Sequence, residues 1–200
     1  TCFQVFRNIV IDAGNIINSL GDEALYINHV FLTHSHSDHI IDLPFLIEGF
    51  FEQRKEPLKI YASKETISSL KAHTFNDEIW PDFSKINLLN SDKKSLEFIV
   101  IEANQTILIG QYSIKPIIAN HTPGAFGYSV IKGNNGYLVS GDTYGNEHLT
   151  NEMENDTRLT TLLIECSFPN NMSELARVSK HLTPKLLKNE LSKIKRTDFQ

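Results

Sequence analysis

The sequence is poor in cysteine. Only Cys2 and Cys166 occur among its 200 residues, near opposite ends of the chain and without a CxxC spacing. A disulfide framework and a thiolate zinc site are therefore not indicated, and we expect a reducing compartment, the cytoplasm. Cys166 lies within a strand-like run, where a cysteine is typically a small buried packing residue.

Long apolar runs and an excess of positive charge are also missing. No segment approaches the roughly 18 consecutive apolar residues of a membrane helix, and no signal-peptide pattern is visible, so we expect no membrane partner. The formal net charge is -5. Because such a chain has no overall attraction to a polyanion, nucleic acid is not favoured as a partner.

Short β-rich runs alternate with helical stretches, which is typical of an α/β or α+β domain. NIVIDAG, residues 8–14, predicts a buried strand that ends in a turn, and HVFLTH, residues 29–34, predicts a second strand. IIDLPFLIEGFFEQRK, residues 40–55, is expected to be mostly helical, with Pro44 within an early turn or interrupting the helix.

The second half of the chain continues this alternation. KGNNGYLVSGDT, residues 132–143, predicts a hairpin turn that leads into a strand, and TTLLIECS, residues 160–167, predicts a further strand. LTPKLLKNELSKIK, residues 182–195, predicts a helix with Pro184 near its start. No internal repeat or linker occurs, so we expect residues 1–200 to form a single domain.

Three of the eight histidines crowd into the segment FLTHSHSDHI, directly after the second predicted strand. In an extended segment His34 and His36 point to the same side, so both imidazoles can reach one cation. Asp38 and His39 follow where a helix begins, and they can reach a second cation about 3.5–4 Å away, as in two-metal hydrolytic sites. Imidazole and carboxylate without thiolate suit zinc, with manganese or iron as alternatives. The other interpretation is that Ser37 or Asp38 only caps the helix and that the histidines lie on the surface.

The segment HSHSDH at a strand end resembles HxHxDH, the first motif of the metallo-β-lactamase superfamily. Three further segments resemble superfamily motifs in the same order along the chain. These are IVIDAG (9–14) for the aspartate strand, ANHTPGAFGYSV (119–130) for the third histidine and YLVSGDT (137–143) for the bridging aspartate. The resemblance implies an αββα sandwich of the metallo-β-lactamase type, within the α/β (α+β) class.

A longer segment resembles one family within this superfamily. IECSFPNNMSELARVSKHLTPKLLKNEL, residues 164–191, is similar to the corresponding stretch of the class II cyclic-nucleotide phosphodiesterases. THSHSDHIIDLPFLI, residues 33–47, fits the same family with two departures. Ser37 stands where leucine is more usual, and Asp42 stands where a small residue is expected. Both departures concern the subfamily and leave the implied metal chemistry unchanged.

The resemblance also implies a ligand set for two metal ions. The implied ligands are His34, His36 and His121 for one ion, Asp38 and His39 for the other, and Asp142 as the bridge. The family has one more histidine on the second ion, and no residue plainly matches it. We expect that ligand and a closing strand to lie beyond Gln200, and the first strands to precede Thr1, so that the single domain lacks both ends of the full fold.

Catalytic roles follow from the same resemblance. His181, in KHLTP, is the candidate proton donor or phosphate contact, and Asp38 is the candidate shuttle for the proton of the nucleophile. Asp12 is expected to orient a ligand histidine rather than to act in catalysis. Three histidines without a surrounding motif are expected to be surface or hydrogen-bonded residues: His29, His73 and His148.

The implied function is a binuclear-metal phosphodiesterase that hydrolyses 3′,5′-cyclic nucleotides such as cAMP and cGMP through a metal-bridging hydroxide. The expected cofactors are two divalent ions, in the first place Zn²⁺, and the expected partner is the small-molecule substrate, with a homodimer as an alternative to a monomer. One alternative function is a ribonuclease Z-like tRNA 3′ endonuclease. That family has a histidine resembling His181 but usually glycine at the position of Ser37. A metal-free binding module on the same fold is the third alternative, and the retained motif residues argue against it.

Overall fold

The computed structural model describes the whole chain, Thr1–Gln200. It divides into two compact units, Thr1–Ile101 and Glu102–Gln200. Each unit contains one five-stranded sheet together with helices. The mixed α/β class predicted from the alternation of strands and helices is therefore confirmed.

The first unit has a mostly parallel sheet. Its strands are β1 (Phe3–Phe6), β2 (Ile9–Ile11), β3 (His29–Phe31), β4 (Leu58–Ala62) and β5 (Leu96–Val100), and they lie in this order in the sheet. Strands β1 and β2 are antiparallel, and the other neighbours are parallel. The helices are α1 (Ile16–Leu20), α2 (Ser37–Ile40), α3 (Leu43–Glu48) and α4 (Lys64–His73), with a 3₁₀ segment at Gly21–Tyr26.

Buried apolar side chains explain the central strands of this unit. Every residue of β2 is buried, as expected for a parallel strand covered on both faces. Val10, Val30 and Ile60, one from each of β2, β3 and β4, belong to the same apolar core. Because β2 and β3 are parallel, their carboxyl ends lie at the same edge of the sheet, and the chain leaves both strands there.

The helical prediction for residues 40–55 is only partly correct. Pro44 lies in the first turn of α3, where its missing N–H costs no hydrogen bond. The helix ends at Glu48, and Gly49 follows as its C-cap residue. Glycine has a low helix propensity, and the chain continues from it in turns rather than in a helix.

The second unit has a mostly antiparallel sheet. Its strands are β6 (Ile107–Ile109), β7 (Tyr112–Ile118), β8 (Phe126–Lys132), β9 (Asn135–Val139) and β10 (Leu159–Leu163), and the sheet order is β10-β9-β8-β7-β6. Only β9 and β10 pair in parallel. The helices are α5 (Glu147–Asn155), α6 (Ser173–Ser179) and α7 (Pro184–Leu191), with a 3₁₀ segment at Asn170–Met172.

Two sequence predictions in this unit are confirmed. Lys132 and Asn135 pair across a two-residue hairpin turn, and Gly133 takes a φ of 61° in that turn. Helix α7 begins at Pro184, and the side chain of Thr183 caps it by accepting a hydrogen bond from the Leu186 N–H.

The prediction for Cys166 is wrong. Strand β10 ends at Leu163, so the cysteine lies in the loop that follows, where it is exposed and forms no disulfide. Cys2 is also a free thiol. No helix of either unit has the length and apolar character that a membrane crossing requires.

His29, the first residue of β3, gives the first unit a pH-dependent stability. Its Nδ1 lies 3.0 Å from the Tyr61 hydroxyl. Burial, with a smaller contribution from the charge of Lys59, lowers the pKa of His29 from 6.5 to about 4. The folded protein therefore binds this proton more weakly than the unfolded chain does. The stabilisation from neutral His29 is complete above the unfolded pKa of 6.5 and is lost as the pH falls towards 4.

We expect the variant His29→Asn to lack this pH dependence, because asparagine can still accept from Tyr61 but does not titrate. The free energy of unfolding of the wild type should fall relative to that of the variant between about pH 7 and pH 5. Urea denaturation of both proteins at the two pH values measures the difference. A difference that stays constant with pH would show that His29 does not carry the effect.

Candidate metal centre

The HSHSDH segment leaves β3 at the carboxyl edge of the first sheet. Strand β3 ends at Phe31, the chain passes through Thr33 and His34, and α2 begins at Ser37. The N-cap residue of α2 is His36, with extended backbone angles and no side-chain cap hydrogen bond. The interpretation that Ser37 or Asp38 serves as the helix cap is therefore wrong.

The first unit brings the four predicted side chains of this segment close to one another. The ring of His34 lies 4.5 Å from that of His36 and 4.2 Å from that of His39, measured between ring centroids. Asp38 Oδ2 lies 3.2 Å from His39 Nε2. His34 and His39 are buried, whereas His36 and Asp38 are exposed. Three imidazoles and one carboxylate thus form a single cluster.

Asp12 supports this cluster from the end of β2. Its Oδ2 lies 2.7 Å from His39 Nδ1, and its Oδ1 accepts a 2.8 Å hydrogen bond from the Thr33 N–H. The Thr33 hydroxyl donates to the carboxylate and lies 3.0 Å from His34 Nδ1. Burial raises the pKa of Asp12, although the contacts with His39 and Thr33 oppose that shift. The expectation that Asp12 orients a histidine fits this geometry.

Gly14 allows the backbone of the cluster to lie against the end of β2. A Cβ atom built at Gly14 would clash with the carbonyl oxygen of Asp38. The neighbouring Ala13 is joined to the same segment, because its N–H donates to the His39 carbonyl at 2.6 Å and its carbonyl accepts from the Asp42 N–H at 2.8 Å. Only a residue without a side chain fits this approach.

We therefore expect Gly14→Ala to displace the segment that carries Asp38 and His39. Overpacking of this kind typically costs about 1–3 kcal/mol in the free energy of unfolding, and a backbone clash lies at the upper end of that range or beyond it. Chemical denaturation of the variant measures the loss. An unchanged free energy of unfolding would mean that the Asp38 carbonyl does not lie where the structure has it.

The second unit brings together three other predicted residues. His121 follows β7, Asp142 follows β9, and His181 lies between α6 and α7. Asp142 Oδ2 lies 3.8 Å from His121 Nε2 and 4.0 Å from His181 Nε2. The two imidazole rings are 4.9 Å apart between centroids. Two ring nitrogens therefore face the same carboxylate.

Glu165, which sequence reasoning left without a role, orients His181. Its Oε1 lies 2.8 Å from His181 Nδ1, and the side chains of Glu165 and His181 are only 10% and 16% exposed. Ser167 donates to Oε2 through its N–H and its hydroxyl. Because a carboxylate accepts from Nδ1–H, this contact fixes the ring so that Nε2 is the atom that faces Asp142.

His121 is oriented by backbone rather than by a carboxylate. Its Nδ1 lies 3.2 Å from the Lys180 carbonyl, and the Lys180 ammonium group donates to the His121 carbonyl at 2.7 Å. Lys180 has left-handed backbone angles at the end of α6, which direct its carbonyl towards the histidine. The chain reverses there directly before His181.

A set of hydrogen bonds joins the loop of His121 to the loop of Asp142. The Asn120 N–H donates to the Thr143 hydroxyl at 3.1 Å, and the Asn120 side chain donates to the Gly145 carbonyl at 2.9 Å. Asn146 donates to the Ile118 carbonyl at 2.8 Å. The positions of His121 and Asp142 are therefore coupled within this unit.

Several of these supporting residues were missed in the sequence. Thr33, Glu165 and Lys180 have no motif of their own, and the contact between Glu165 and His181 joins positions 16 residues apart. The only signal for Glu165 was its place near the end of the strand predicted for residues 160–167. His73 and His148 are exposed, as expected for histidines without a motif.

The donor atoms of the predicted site residues are of the kind that binds a metal ion. His34, His36, His121 and Asp142 can each offer one ligand atom. Metal-ligating histidines typically direct their second ring nitrogen to a carboxylate, a backbone carbonyl or another oxygen. His39 and His121 follow this pattern, with Nδ1 on Asp12 and on the Lys180 carbonyl. Imidazole and carboxylate donors together suit zinc and its divalent neighbours.

Comparison with solved structures identifies the fold. The metallo-β-lactamase fold protein YhfI from Bacillus subtilis aligns with a TM-score of 0.71 at 18% identity, over 93% of this chain and 69% of that one. Unliganded yeast PDE1 aligns with a TM-score of 0.70 at 26% identity, over 86% of this chain and 54% of that one. The chain therefore has the metallo-β-lactamase fold, as the sequence motifs predicted.

One family model matches nearly the whole chain. A family model described as anti-Pycsar protein Apyc1 matches residues 6–192. The chain belongs to this family. The sequence motifs resembled the superfamily and its cyclic-nucleotide phosphodiesterases, but they did not indicate this particular family.

Curated relatives confirm the resemblance to cyclic-nucleotide phosphodiesterases. The 3′,5′-cyclic-nucleotide phosphodiesterase 1 of Saccharomyces cerevisiae is 30% identical over 191 residues, which cover 84% of this chain and 51% of that protein. The chain thus spans about half the length of this relative. A ribonuclease Z of Methanococcus maripaludis is 44% identical, but over only 46 residues, or 22% of this chain.

Proposed function

We propose that this chain is a binuclear-metal phosphodiesterase that hydrolyses 3′,5′-cyclic nucleotides such as cAMP and cGMP. The observation that carries the proposal is the contact between Glu165 and His181 Nδ1. This contact leaves Nε2 of His181 facing Asp142. A bare metal site does not require such a pair, whereas cleavage of a phosphodiester requires a proton for the leaving oxygen. The named relatives support the choice of a cyclic nucleotide as the substrate.

The proposed metal ligands are those that the sequence motifs imply. They are His34, His36 and His121 for the first ion, Asp38 and His39 for the second, and Asp142 as the bridge between them. When bound, two divalent ions would supply a nucleophilic water of lowered pKa and positive charge for the phosphoryl oxygens. Zn²⁺ is the proposed metal because the donors are nitrogen and oxygen without sulfur, and Mn²⁺ or iron fit the same donors less specifically.

Two side chains, Asp38 and His181, carry out one proton transfer each. Asp38 is mostly exposed and lies beside His39, so its carboxylate can accept the proton of the attacking water. His181 donates from Nε2 to the departing ribose oxygen as the phosphoester bond breaks. Glu165 stabilises the protonated ring through Nδ1 and keeps it in orientation. Asp12 holds His39 in the same way.

Several wider properties belong to the proposal. We propose that residues 1–200 act as a single domain, in a reducing compartment such as the cytoplasm, where the two cysteines remain free thiols. The proposed partner is the nucleotide itself. Homodimerisation is a further expectation, and light scattering in solution tests it.

The ribonuclease Z alternative has weaker support. The curated sequence relatives named ribonuclease Z match shorter parts of the chain, and a net charge of -5 does not favour binding of a tRNA. A metal-free binding module would have no use for the buried contact between Asp12 and His39 or for the pair of Glu165 and His181.

A panel of substrates separates these functions. The zinc-loaded protein is incubated with cAMP, cGMP, a linear dinucleotide and a precursor tRNA. We expect the two cyclic nucleotides to be hydrolysed with the highest kcat/KM. A clear preference for the precursor tRNA would assign the chain to the endonuclease alternative, and no turnover of any substrate would favour the binding module.

A further inference from the structure

An uncharged groove of about 260 Å³ opens on the first unit beside the HSHSDH segment. One wall is formed by α2 and α3 and carries Ser37, Ile41 and Phe45. The opposite wall is the loop after α4 and carries Ile79 and Trp80. No lining residue has a charged side chain. We refer to this feature as the α2–α3 groove.

Apolar side chains are unusually exposed in the α2–α3 groove. Ile41 is 54% exposed, Phe45 is 51% exposed and Ile79 is 68% exposed. The rings of Phe45 and Trp80 are 5.4 Å apart and stand edge to face at 71°. Contiguous exposed apolar surface of this kind typically marks a binding site rather than ordinary protein surface.

Hydrogen bonds within the loop hold the second wall in place. Asn76 Oδ1 accepts from the Ile79 N–H at 2.7 Å, and the Asp77 N–H donates to the Trp80 carbonyl at 3.0 Å. The Lys85 ammonium group lies 2.7 Å from Asp77 Oδ2. The aromatic wall is therefore formed before any ligand arrives, which lowers the entropic cost of binding.

Ser37 connects the groove to the candidate metal centre, because it lines the groove and lies in sequence between His36 and Asp38. A molecule whose phosphate is held by metal ions at this centre could therefore place its uncharged part in the groove that Ser37 lines. The volume of about 260 Å³ lies just below the roughly 300–1,000 Å³ that small-molecule sites occupy, which suits part of a ligand rather than a whole one. A flat, uncharged aromatic group suits these walls better than a phosphate or a charged peptide does.

We propose that the α2–α3 groove binds the nucleobase of the substrate, with the base packed against Phe45 and Trp80. This inference rests on the proposed function, because it takes the substrate to be a nucleotide. Base-aromatic stacking supplies the affinity, so the groove determines how tightly the nucleotide is held and leaves the chemical step unchanged.

The groove contains its own spectroscopic probe, because Trp80 is the only tryptophan of the chain. We expect adenosine, titrated into metal-free protein, to quench the fluorescence of Trp80 saturably. The probe has no phosphate and is not hydrolysed, so this measurement is independent of catalysis. It therefore distinguishes a failure of the groove from a failure of the proposed phosphodiesterase activity.

Two variants test whether adenosine binds in the α2–α3 groove. Phe45→Ala should weaken the quenching constant by roughly 5- to 100-fold, as expected for loss of one base-aromatic contact. Leu89→Ala is the matched control, because Leu89 is exposed to the same extent, 51%, and does not line the groove. The control should bind adenosine as the wild type does. Circular dichroism verifies that both variants are folded.

Kinetics supply the second test on the zinc-loaded protein. Trp80→Ala should raise KM for cAMP by roughly 5- to 100-fold with kcat within about twofold, because stacking acts in the ground state and the transition state alike. The same cyclic ribose phosphate without a base should be hydrolysed equally by the wild type and the variant. Loss of kcat on both substrates would overturn the proposal.

Two other outcomes would also overturn it. Either adenosine does not change the Trp80 fluorescence of the wild type, or Leu89→Ala weakens the quenching as much as Phe45→Ala does. If instead the fluorescence changes with protein concentration while light scattering shows a dimer, the groove is covered by a second copy of the chain and does not bind a base.

Discussion

Asp142→Ala is expected to lose most of its bound metal and its hydrolytic activity together. The Asp142 carboxylate faces both His121 and His181 in the second unit, and the proposal makes it the bridge between two cations. Without that negative charge the two cations would repel each other at about 3.5–4 Å, the separation typical of such sites. The variant should therefore lose activity because it loses metal, not because it binds the substrate more weakly.

Metal content by atomic spectroscopy and turnover of cAMP, measured on the same preparation, test this expectation. With zinc in excess, the wild type should hold about two zinc ions per chain, the second more weakly because its implied ligand set is incomplete, and the variant should hold fewer than about one. Asp198→Ala is the matched control, because the Asp198 side chain is 66% exposed and contacts only Arg196 among the ion pairs of the chain. A variant Asp142→Ala that keeps two zinc ions and full turnover would refute the bridging role.

His181→Ala is expected to keep its metal but to lower the turnover of cAMP by roughly 10²–10⁴-fold, the usual range for general acid-base catalysis. The reason is that the ribose oxygen then departs without a proton. An ester of p-nitrophenol needs no proton to leave, so the loss on such a phosphodiester should be much smaller. Turnover of both substrates and metal content are measured on each variant.

Two further variants separate the possible roles of His181. Glu165→Gln keeps an acceptor for Nδ1 but removes the charge that supports the protonated ring, and we expect roughly a 10- to 100-fold loss on cAMP. His148→Ala, an exposed histidine of the same unit, should behave as the wild type does. An equal loss on both substrates in His181→Ala with full metal would contradict a donor role, and a loss of metal would make His181 a ligand.

The sequence predicted those features that depend only on residues close together in the chain. The HSHSDH segment has the alternation of a strand followed by the start of a helix, and the structure places its three imidazoles within one cluster for that reason. The start of α7 was predictable from Thr183 and Pro184, since a cap and a proline act on their own backbone. The resemblance to known motifs supplied the fold class, which periodicity alone would not have given.

Contacts between distant residues escaped sequence reasoning. Glu165 is one of many acidic residues in the sequence, and only the path of the chain around α6 brings His181 onto its carboxylate. Cys166 was assigned to the interior because the strand pattern runs past Leu163, whereas the strand itself stops there. The α2–α3 groove depends on a loop about 40 residues beyond α2, and no motif marks that loop.

Removal and return of metal tests the central proposal most directly. The protein is stripped with a chelator, and hydrolysis of cAMP is followed as zinc is added back. We expect no hydrolysis without metal and a recovery that reaches its plateau when about two zinc ions are bound per chain. Hydrolysis of cAMP by the metal-free protein at the original rate would contradict a binuclear metal phosphodiesterase.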